Sequence, residues 1–190
     1  MIDWFIRRRL GAFERRYGYD AGYARELLAM SRPAFLRYAE VSRMAAHRQG
    51  LPLAAWYAAK VTAARAEDCG PCTQLAVDMA REEGMDDALL RAVLRDDPQA
   101  MGEDAALGWR YARAAVARSP QVQDLRDEVL RRWGPRGLAS LALVVTGTRM
   151  FPMLKYALGH GQACSLVVVG GQSVQARDRQ AGQAAAAALR

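Results

Sequence analysis

The sequence is poor in cysteine, with three in 190 residues. This content is not typical of a secreted protein held together by disulfides, since small extracellular domains carry far more cysteine. The N-terminus also lacks the long apolar core of a signal peptide, and we therefore expect a cytoplasmic protein. With 52% hydrophobic and 25% charged residues, the chain can bury the core of one globular domain without disulfide staples.

Long apolar runs are also missing. The longest apolar stretch extends from about Leu138 to Val145 and ends at Thr146 and Gly147. It falls well short of the roughly 20 residues that a transmembrane helix needs. We therefore expect no membrane span.

Lysine is almost absent, so nearly all of the positive charge comes from arginine. Lys60 and Lys155 are the two lysines among 27 basic residues, and the net charge is +7. An arginine excess of this size is compatible with nucleic-acid binding. The arginines, however, are spread over several amphipathic segments and form no recognised nucleic-acid motif. We therefore expect a solvated basic surface and no nucleic-acid partner.

Apolar residues recur at helical spacing through most of the chain, which predicts an all-α helical bundle. Turn-forming glycine, proline and aspartate separate the helical segments. The predicted helices cover residues 2–17, 25–49, 53–66, 72–83, 86–94, 104–117, 122–133 and 136–158. Residues 165–169 are the one segment with the pattern of a strand. We expect a single all-α domain over residues 1–170, followed over 171–190 by a polar tail that is either a frayed helix or mobile.

The first predicted helix mixes apolar and basic residues. Its apolar residues are Ile2, Trp4, Phe5, Ile6, Leu10 and Phe13, and its arginines are Arg7, Arg8, Arg9, Arg15 and Arg16. Helices that lie on a membrane surface or bind a partner have this composition. A helix docked on the core or in a subunit interface, with its arginines in water, has it too, and we favour the docked helix.

The tetrapeptide Cys-Gly-Pro-Cys at residues 69–72 is the motif that indicates chemistry. Two thiols at this spacing can close a disulfide within one turn, and Pro71 suits the first position of a helix. The positive end of that helix favours thiolate over thiol at both cysteines. Glu67 and Asp68 oppose this effect by their charge, although they could instead shuttle protons or cap the helix. The pattern predicts dithiol–disulfide chemistry.

Thioredoxins carry the same tetrapeptide, but on a different scaffold. There it follows a buried strand within a βαβ unit, whereas residues 62–66 of this chain have a helical pattern. The same dithiol chemistry can occur on unrelated folds. We therefore reject the thioredoxin fold and retain the prediction of dithiol–disulfide chemistry.

A second cluster of polar residues lies near the end of the last long helix. His160 and Cys164 would complete a Cys3His zinc set with the cysteine pair at 69 and 72. The long chain between the two halves argues against zinc, because compact zinc modules keep their ligand pairs close in sequence. We expect no metal and no other cofactor, a buried and inert Cys164, and His160 at a helix end.

The order of these segments resembles the alkylhydroperoxidase D-like/carboxymuconolactone decarboxylase superfamily. The resemblance is carried by a Cys-x-x-Cys that opens a helix, the segments 86–94 and 106–112 after it, and a long apolar helix from 137 to 158. It extends over about residues 25–158. It implies an all-α fold, a thiol-dependent peroxidase or dithiol–disulfide oxidoreductase without a prosthetic group, and a homo-oligomer.

The resemblance also implies roles for the two thiols. Cys72 resembles the cysteine that attacks peroxide and passes through a sulfenic acid, and Cys69 resembles the cysteine that resolves it to a disulfide. Redox-active members have a glutamate and a histidine at the positions that Tyr57 and Ala76 occupy here. A replacement proton relay is therefore needed.

The candidates for this relay are close to the cysteines in sequence. Asp68, Glu67 and the Tyr57 phenol are the candidate bases, and Lys60 could stabilise an anion. Gln74 and Asp78 are weaker candidates. For Tyr57 a packed core aromatic is the ordinary alternative, and for Glu67 and Asp68 it is helix capping.

We therefore expect a thiol-dependent peroxidase or dithiol–disulfide oxidoreductase that acts on a peroxide or disulfide and draws electrons from an unidentified thiol donor. One alternative is a non-enzymatic redox-sensing or assembly protein, and another is a Cys3His structural zinc protein. Decarboxylation of a lactone is less expected, because the superfamily members with that activity do not depend on a Cys-x-x-Cys.

Overall fold

The computed structural model describes residues 2–161 and 166–175, and this part of the chain forms eight α-helices and one β-hairpin. The all-α helical bundle is therefore confirmed. The helices are α1 (Ile2–Tyr17), α2 (Gly22–Met30), α3 (Arg32–Ala45), α4 (Leu53–Arg65), α5 (Gly70–Glu82), α6 (Asp87–Arg95), α7 (Glu103–Val116) and α8 (Val122–Ala157). A 3-10 turn spans Pro98–Ala100, and the hairpin strands are β1 (Leu166–Val169) and β2 (Gln172–Gln175).

The segment 25–49, predicted as one helix, is two helices that meet at Ser31. Ser31 has an extended backbone, and its hydroxyl accepts a hydrogen bond of 3.3 Å from the Ala34 amide. Pro33 lies in the first turn of α3, where its missing N–H breaks no helical hydrogen bond. A serine cap followed by proline therefore starts a new helix, and the prediction of one continuous helix was wrong.

Helix α8 joins the two predicted helices 122–133 and 136–158 across a kink. Gly134 lies at the kink with φ of 68°, a conformation that glycine adopts at little cost, and Pro135 follows it. Among the described residues α8 is the one helix long and apolar enough to cross a membrane, and 44% of its most apolar window is buried inside the fold. A core helix passes the same test, so the expected absence of a membrane span stays a prediction.

Helix α4 lies at the centre of the larger hydrophobic core. Nine of its thirteen residues are buried, and it packs against α5, α6, α7 and α8. The closest approach is to α7, where a Cβ built on Gly108 would lie 2.8 Å from the carbonyl carbon of Ala55. Only a residue without a side chain allows the two backbones to come this close.

The N-terminal helices form a second, smaller cluster. Buried residues of the segment before α2 and of α2 and α3 surround the cysteine pair, and apolar residues of α1 pack on the outside of this group. The buried members are Tyr19, Ala21, Tyr23, Ala24, Leu28, Phe35, Cys69 and Cys72. Helix α5 therefore contacts both clusters, since Ala76, Val77 and Ala80 belong to the larger core.

The hairpin extends the domain beyond its predicted limit. Strands β1 and β2 pair antiparallel, with Val167 opposite Val174, and both side chains are buried in the larger core. Gln74 of α5 holds the outer edge of β1, because its amide bonds both the N–H of Val168, at 2.7 Å, and the carbonyl of Val168, at 3.0 Å. The prediction of a polar tail from residue 171 is therefore wrong for 172–175, and residues 176–190 lie outside the described residues.

The close approach of α4 and α7 predicts the effect of a single methyl group. Gly108→Ala should lower the free energy of unfolding by about 1–3 kcal/mol, because backbone atoms of Ala55 must move to admit the Cβ. Gly11→Ala is the matched control in α1, where the nearest atoms are the ends of arginine side chains. It should be neutral or stabilising by up to about 1 kcal/mol. Urea denaturation of both variants tests this, and equal effects would contradict it.

Candidate active site

The cysteine pair lies at the N-terminal end of α5, as the sequence predicts. Cys69 is the N-cap residue with an extended backbone, and its carbonyl accepts the Thr73 amide at 2.9 Å and the Thr73 hydroxyl at 3.0 Å. Pro71 occupies the first turn. The Cα atoms of Cys69 and Cys72 are 5.3 Å apart, and their sulfurs lie within disulfide distance. The pair can therefore be oxidised without moving the backbone.

Both sulfurs are covered by the N-terminal part of the chain. The exposed fraction is 2% for Cys69 and 8% for Cys72, so Cys72 is the more accessible of the two. The residues that cover them belong to the smaller cluster formed by α1, α2 and α3. Access to the pair therefore depends on a part of the chain far from it in sequence.

Tyr19 provides the polar contact to the pair. Its hydroxyl lies 3.6 Å from the Cys72 sulfur. A disulfide sulfur carries no proton, so the phenol is the donor when the pair is oxidised, and it can equally donate to a thiolate. Burial, followed by the neighbouring Tyr23, raises the pKa of Tyr19 above its ordinary value. The phenol therefore stays protonated at neutral pH and acts as a hydrogen-bond donor, not as a base.

Lys155 lies behind this phenol. It reaches from the end of α8 with its Nζ 4.9 Å from the ring centre of Tyr19 and 5.6 Å from that of Tyr23. Tyr38 extends the group by donating a 3.0 Å hydrogen bond to Tyr23. Burial lowers the pKa of Lys155, while the charge of Asp20 opposes this effect. We call Tyr19, Tyr23, Tyr38 and Lys155 the tyrosine–lysine cluster.

Sequence reasoning missed the tyrosine–lysine cluster. Tyr19 is 53 residues before Cys72, and Lys155 is 83 residues after it. No motif links the three positions, because they meet only when the N-terminal helices and the C-terminal end of α8 pack around the cysteine pair. The one signal in the sequence is the recurrence of tyrosine at positions 17, 19 and 23.

Tyr57, a candidate base, is directed away from the thiols. Its hydroxyl is a donor at 3.1 Å from the Met79 carbonyl and at 2.7 Å from the Glu83 carboxylate. Glu83 follows Cys72 by eleven residues, which is about 16 Å along a helix. Burial and the contact with Glu83 raise the pKa of Tyr57. These contacts are those of the ordinary alternative, a packed aromatic. The catalytic role of Tyr57 stays a prediction that none of them supports.

The two acidic residues before the pair have different surroundings. Glu67 forms an ion pair with Arg149 of α8, which holds the loop before Cys69 against that helix. Asp68 is exposed and has a left-handed backbone with φ of 56°. Glu67 is therefore engaged in a structural contact with α8. Proton transfer by either acidic residue stays a prediction.

Lys60 and the two weaker candidates, Gln74 and Asp78, also have other partners. Lys60 lies with its Nζ 4.5 Å from the ring centre of Trp56, and Glu83, at the far end of α5, is the acidic group that acts on it. Gln74 binds the hairpin edge and the Asp78 carboxylate, the latter at 2.9 Å. None of these contacts involves the thiols.

The second polar cluster is only partly described. His160 contacts Glu26 of α2 through its Nε2, and Cys164 lies outside the described residues. Within residues 2–161 and 166–175 there is no group of three potential metal ligands. The zinc alternative therefore stays a prediction that rests on a residue whose position is not described.

Comparison of the chain with protein-family models, with curated proteins and with solved structures finds no match. Membership of the superfamily that the sequence resembles therefore stays a prediction, as does the homo-oligomer that it implies. The function must be inferred from the geometry of the cysteine pair and its neighbours.

The contact between Tyr19 and Cys72 predicts a shift in thiol reactivity. In a Cys69→Ser background, Tyr19→Phe should raise the pKa of Cys72 by about one to two units, because a hydrogen bond to a charged group is worth about 1.5–3 kcal/mol. Tyr57→Phe is the control, since it removes a buried hydroxyl at the other end of α5. The pH dependence of Cys72 alkylation, followed by peptide mass spectrometry, measures both. Equal pKa values in the two variants would show that Tyr19 does not act on the thiol.

The burial of Lys60 predicts an unusual titration. Burial lowers its pKa from 10.5 to about 8, so the folded protein should release this proton near pH 8. The unfolded chain holds the proton up to about pH 10.5, and the free energy of unfolding should therefore rise with pH between these values. NMR of ¹³C-dimethylated lysines follows the titration, and Lys60→Met should reduce the rise. An ordinary titration midpoint in the folded protein would contradict this.

Proposed function

We propose that the protein is a thiol-dependent peroxidase or a closely related dithiol–disulfide oxidoreductase, in which Cys69 and Cys72 form a reversible disulfide. The observation that carries the proposal is the hydrogen-bond donor Tyr19 beside the more accessible sulfur of a pair that lies at a helix N-terminus. Each of these features favours a negative charge on Cys72. A thiolate is the nucleophilic form of cysteine.

The first step of the proposed reaction is attack by Cys72 on a peroxide. The thiolate displaces one oxygen, the O–O bond breaks, and a sulfenic acid forms on Cys72. The leaving alkoxide or hydroxide takes up a proton and departs as an alcohol or as water. The sulfur loses two electrons, and the peroxide gains them.

The second step forms the disulfide. The Cys69 thiolate attacks the Cys72 sulfur, the S–O bond breaks, and the departing hydroxide takes up a proton to give water. Their positions already suit this bond, with Cα atoms 5.3 Å apart. An external dithiol then reduces the disulfide by thiol–disulfide exchange and leaves as its own disulfide. In sum, one peroxide and one dithiol become one alcohol, one water and one donor disulfide.

The proton relay in this proposal differs from the one that the family resemblance implies. Tyr19 stays protonated and stabilises the negative charge on the Cys72 thiolate by donating a hydrogen bond to it. Lys155 adds a buried positive charge against the same phenol ring. A thiol stabilised as its thiolate in this way needs no permanent base at neutral pH.

A second candidate function is a structural disulfide between Cys69 and Cys72 that forms and breaks with the redox conditions and catalyses no reaction. The burial of both sulfurs beneath α1, α2 and α3 favours it, because buried cysteines react slowly with large partners. In this case oxidation would change the stability of the N-terminal cluster and no substrate would be consumed. Catalytic turnover of peroxide with a dithiol distinguishes the two functions.

The roles of the two cysteines predict different outcomes for their serine variants. Cys72→Ser should abolish dithiol-driven peroxide reduction, because the nucleophile is lost. Cys69→Ser should allow one oxidation and leave a sulfenic acid on Cys72 that dimedone can trap. Cys164→Ser is the control and should retain turnover, with peptide mapping showing the Cys69–Cys72 disulfide.

Two outcomes would contradict this assignment. A sulfenic acid trapped only on Cys69 would reverse the roles of the two thiols. A protein that forms the disulfide with one equivalent of peroxide but does not turn over with a dithiol would support the structural bond instead.

A further inference from the structure

Helix α1 carries large apolar side chains on two sides, and only one of these sides packs against the rest of the fold. Ile6, Leu10, Phe13 and Tyr17 recur at three- and four-residue spacing and pack on the smaller cluster. At 3.6 residues per turn, Trp4 lies about 150° around the helix from the middle of this face. Trp4 is 56% exposed and Phe5 is 59% exposed. Their exposure therefore follows from the way α1 is docked.

The exposed side of α1 is strongly basic. Arg7, Arg8, Arg9 and Arg15 are exposed, and none of them takes part in an ion pair within residues 2–161 and 166–175. The Arg8 guanidinium lies 5.5 Å from the ring centre of Trp4, so basic and aromatic groups share one surface. The acidic residues of α1 are otherwise engaged, since Asp3 pairs with Arg32 and Glu14 with Arg25. This side of the helix therefore carries an uncompensated positive charge.

The exposed apolar surface continues past the start of α1. The ion pair of Asp3 with Arg32, 3.8 Å between charged atoms, places the beginning of α1 next to the junction of α2 and α3. Met30, two residues before Arg32, is exposed there, as is Ile2. A tryptophan, a phenylalanine and aliphatic side chains beside exposed arginines are complementary to a partner that is both apolar and negatively charged.

We propose that the exposed side of α1 binds an anionic phospholipid surface, with the helix lying in the plane of the interface. Trp4 and Phe5 would enter the boundary between headgroups and acyl chains, and Arg7, Arg8 and Arg9 would contact the phosphates. The opposite face of α1 remains packed on the smaller cluster, so docking requires no unfolding. This proposal is independent of the thiol chemistry.

Co-sedimentation of the full chain with vesicles tests the electrostatic part. The protein should bind vesicles of equal parts phosphatidylcholine and phosphatidylglycerol and bind pure phosphatidylcholine poorly. The triple variant Arg7→Gln/Arg8→Gln/Arg9→Gln should lose about 10²-fold in affinity at low salt, because each arginine near such a surface contributes about 1 kcal/mol. The matched control Arg95→Gln/Arg131→Gln/Arg136→Gln removes the same charge from exposed positions elsewhere, and its affinity for the vesicles should fall little.

Tryptophan fluorescence tests the apolar part. Trp56 and Trp109 are buried and Trp133 is partly buried, so a blue shift of the emission upon adding anionic vesicles reports mainly on Trp4. Trp4→Ala/Phe5→Ala should abolish the shift and weaken binding while leaving the thermal unfolding midpoint unchanged.

Three results would overturn the proposal. They are equal binding to neutral and anionic vesicles, equal losses in the two arginine triple variants, and absence of binding altogether. Self-association of the parent that Trp4→Ala/Phe5→Ala abolishes, without lipid binding, would identify a second copy of the chain as the occupant of this surface.

Discussion

The contact of α4 with α7 is the constraint on which the remaining architecture depends. Gly108 brings the α7 backbone against the Ala55 carbonyl, and α4 becomes a core helix with neighbours on most of its sides. Its last residue, Arg65, then reaches the end of α6, where it bonds the Leu94 carbonyl at 2.6 Å and both oxygens of Asp96. Because the loop that carries Cys69 begins immediately after Arg65, this anchoring positions the start of α5.

The chemistry of the site depends on a second contact, between the N-terminal helices and the start of α5. The ring of Phe13 in α1 packs edge-on against Tyr19, at 5.9 Å between centroids, and Tyr19 in turn reaches Cys72. Arg16 and Tyr17 bind Glu82 at the other end of α5. One face of α1 is therefore tied to the helix that bears the thiols, and its other face carries Trp4 and the exposed arginines.

Local patterns explain which predictions from the sequence are confirmed. The position of the cysteine pair at a helix start follows from Pro71 and the Cys-x-x-Cys spacing, which act within one turn. The limits of α1 agree because its apolar spacing is regular from Ile2 to Tyr17. The errors arise where a local signal is weak or has two meanings. The helical apolar spacing continues on both sides of Ser31 and Pro33, so it hides the break between α2 and α3. The short strand 172–175 is stabilised by pairing with β1, and its own residues do not indicate this pairing.

The sequence by itself determined the helical class, the place of the thiol pair and the basic, aromatic composition of α1, because each depends on residues within a few positions of one another. The tertiary structure alone decided which groups surround the pair. Tyr57 lies close to the thiols along the sequence, but the way α4 packs against α5 directs its hydroxyl to Glu83. Tyr19 and Lys155, distant along the chain, meet near Cys72 because the N-terminal helices and the C-terminal end of α8 pack together around the cysteine pair. A hydrogen bond acts over about 3 Å, so sequence distance says little about which donor reaches a thiol.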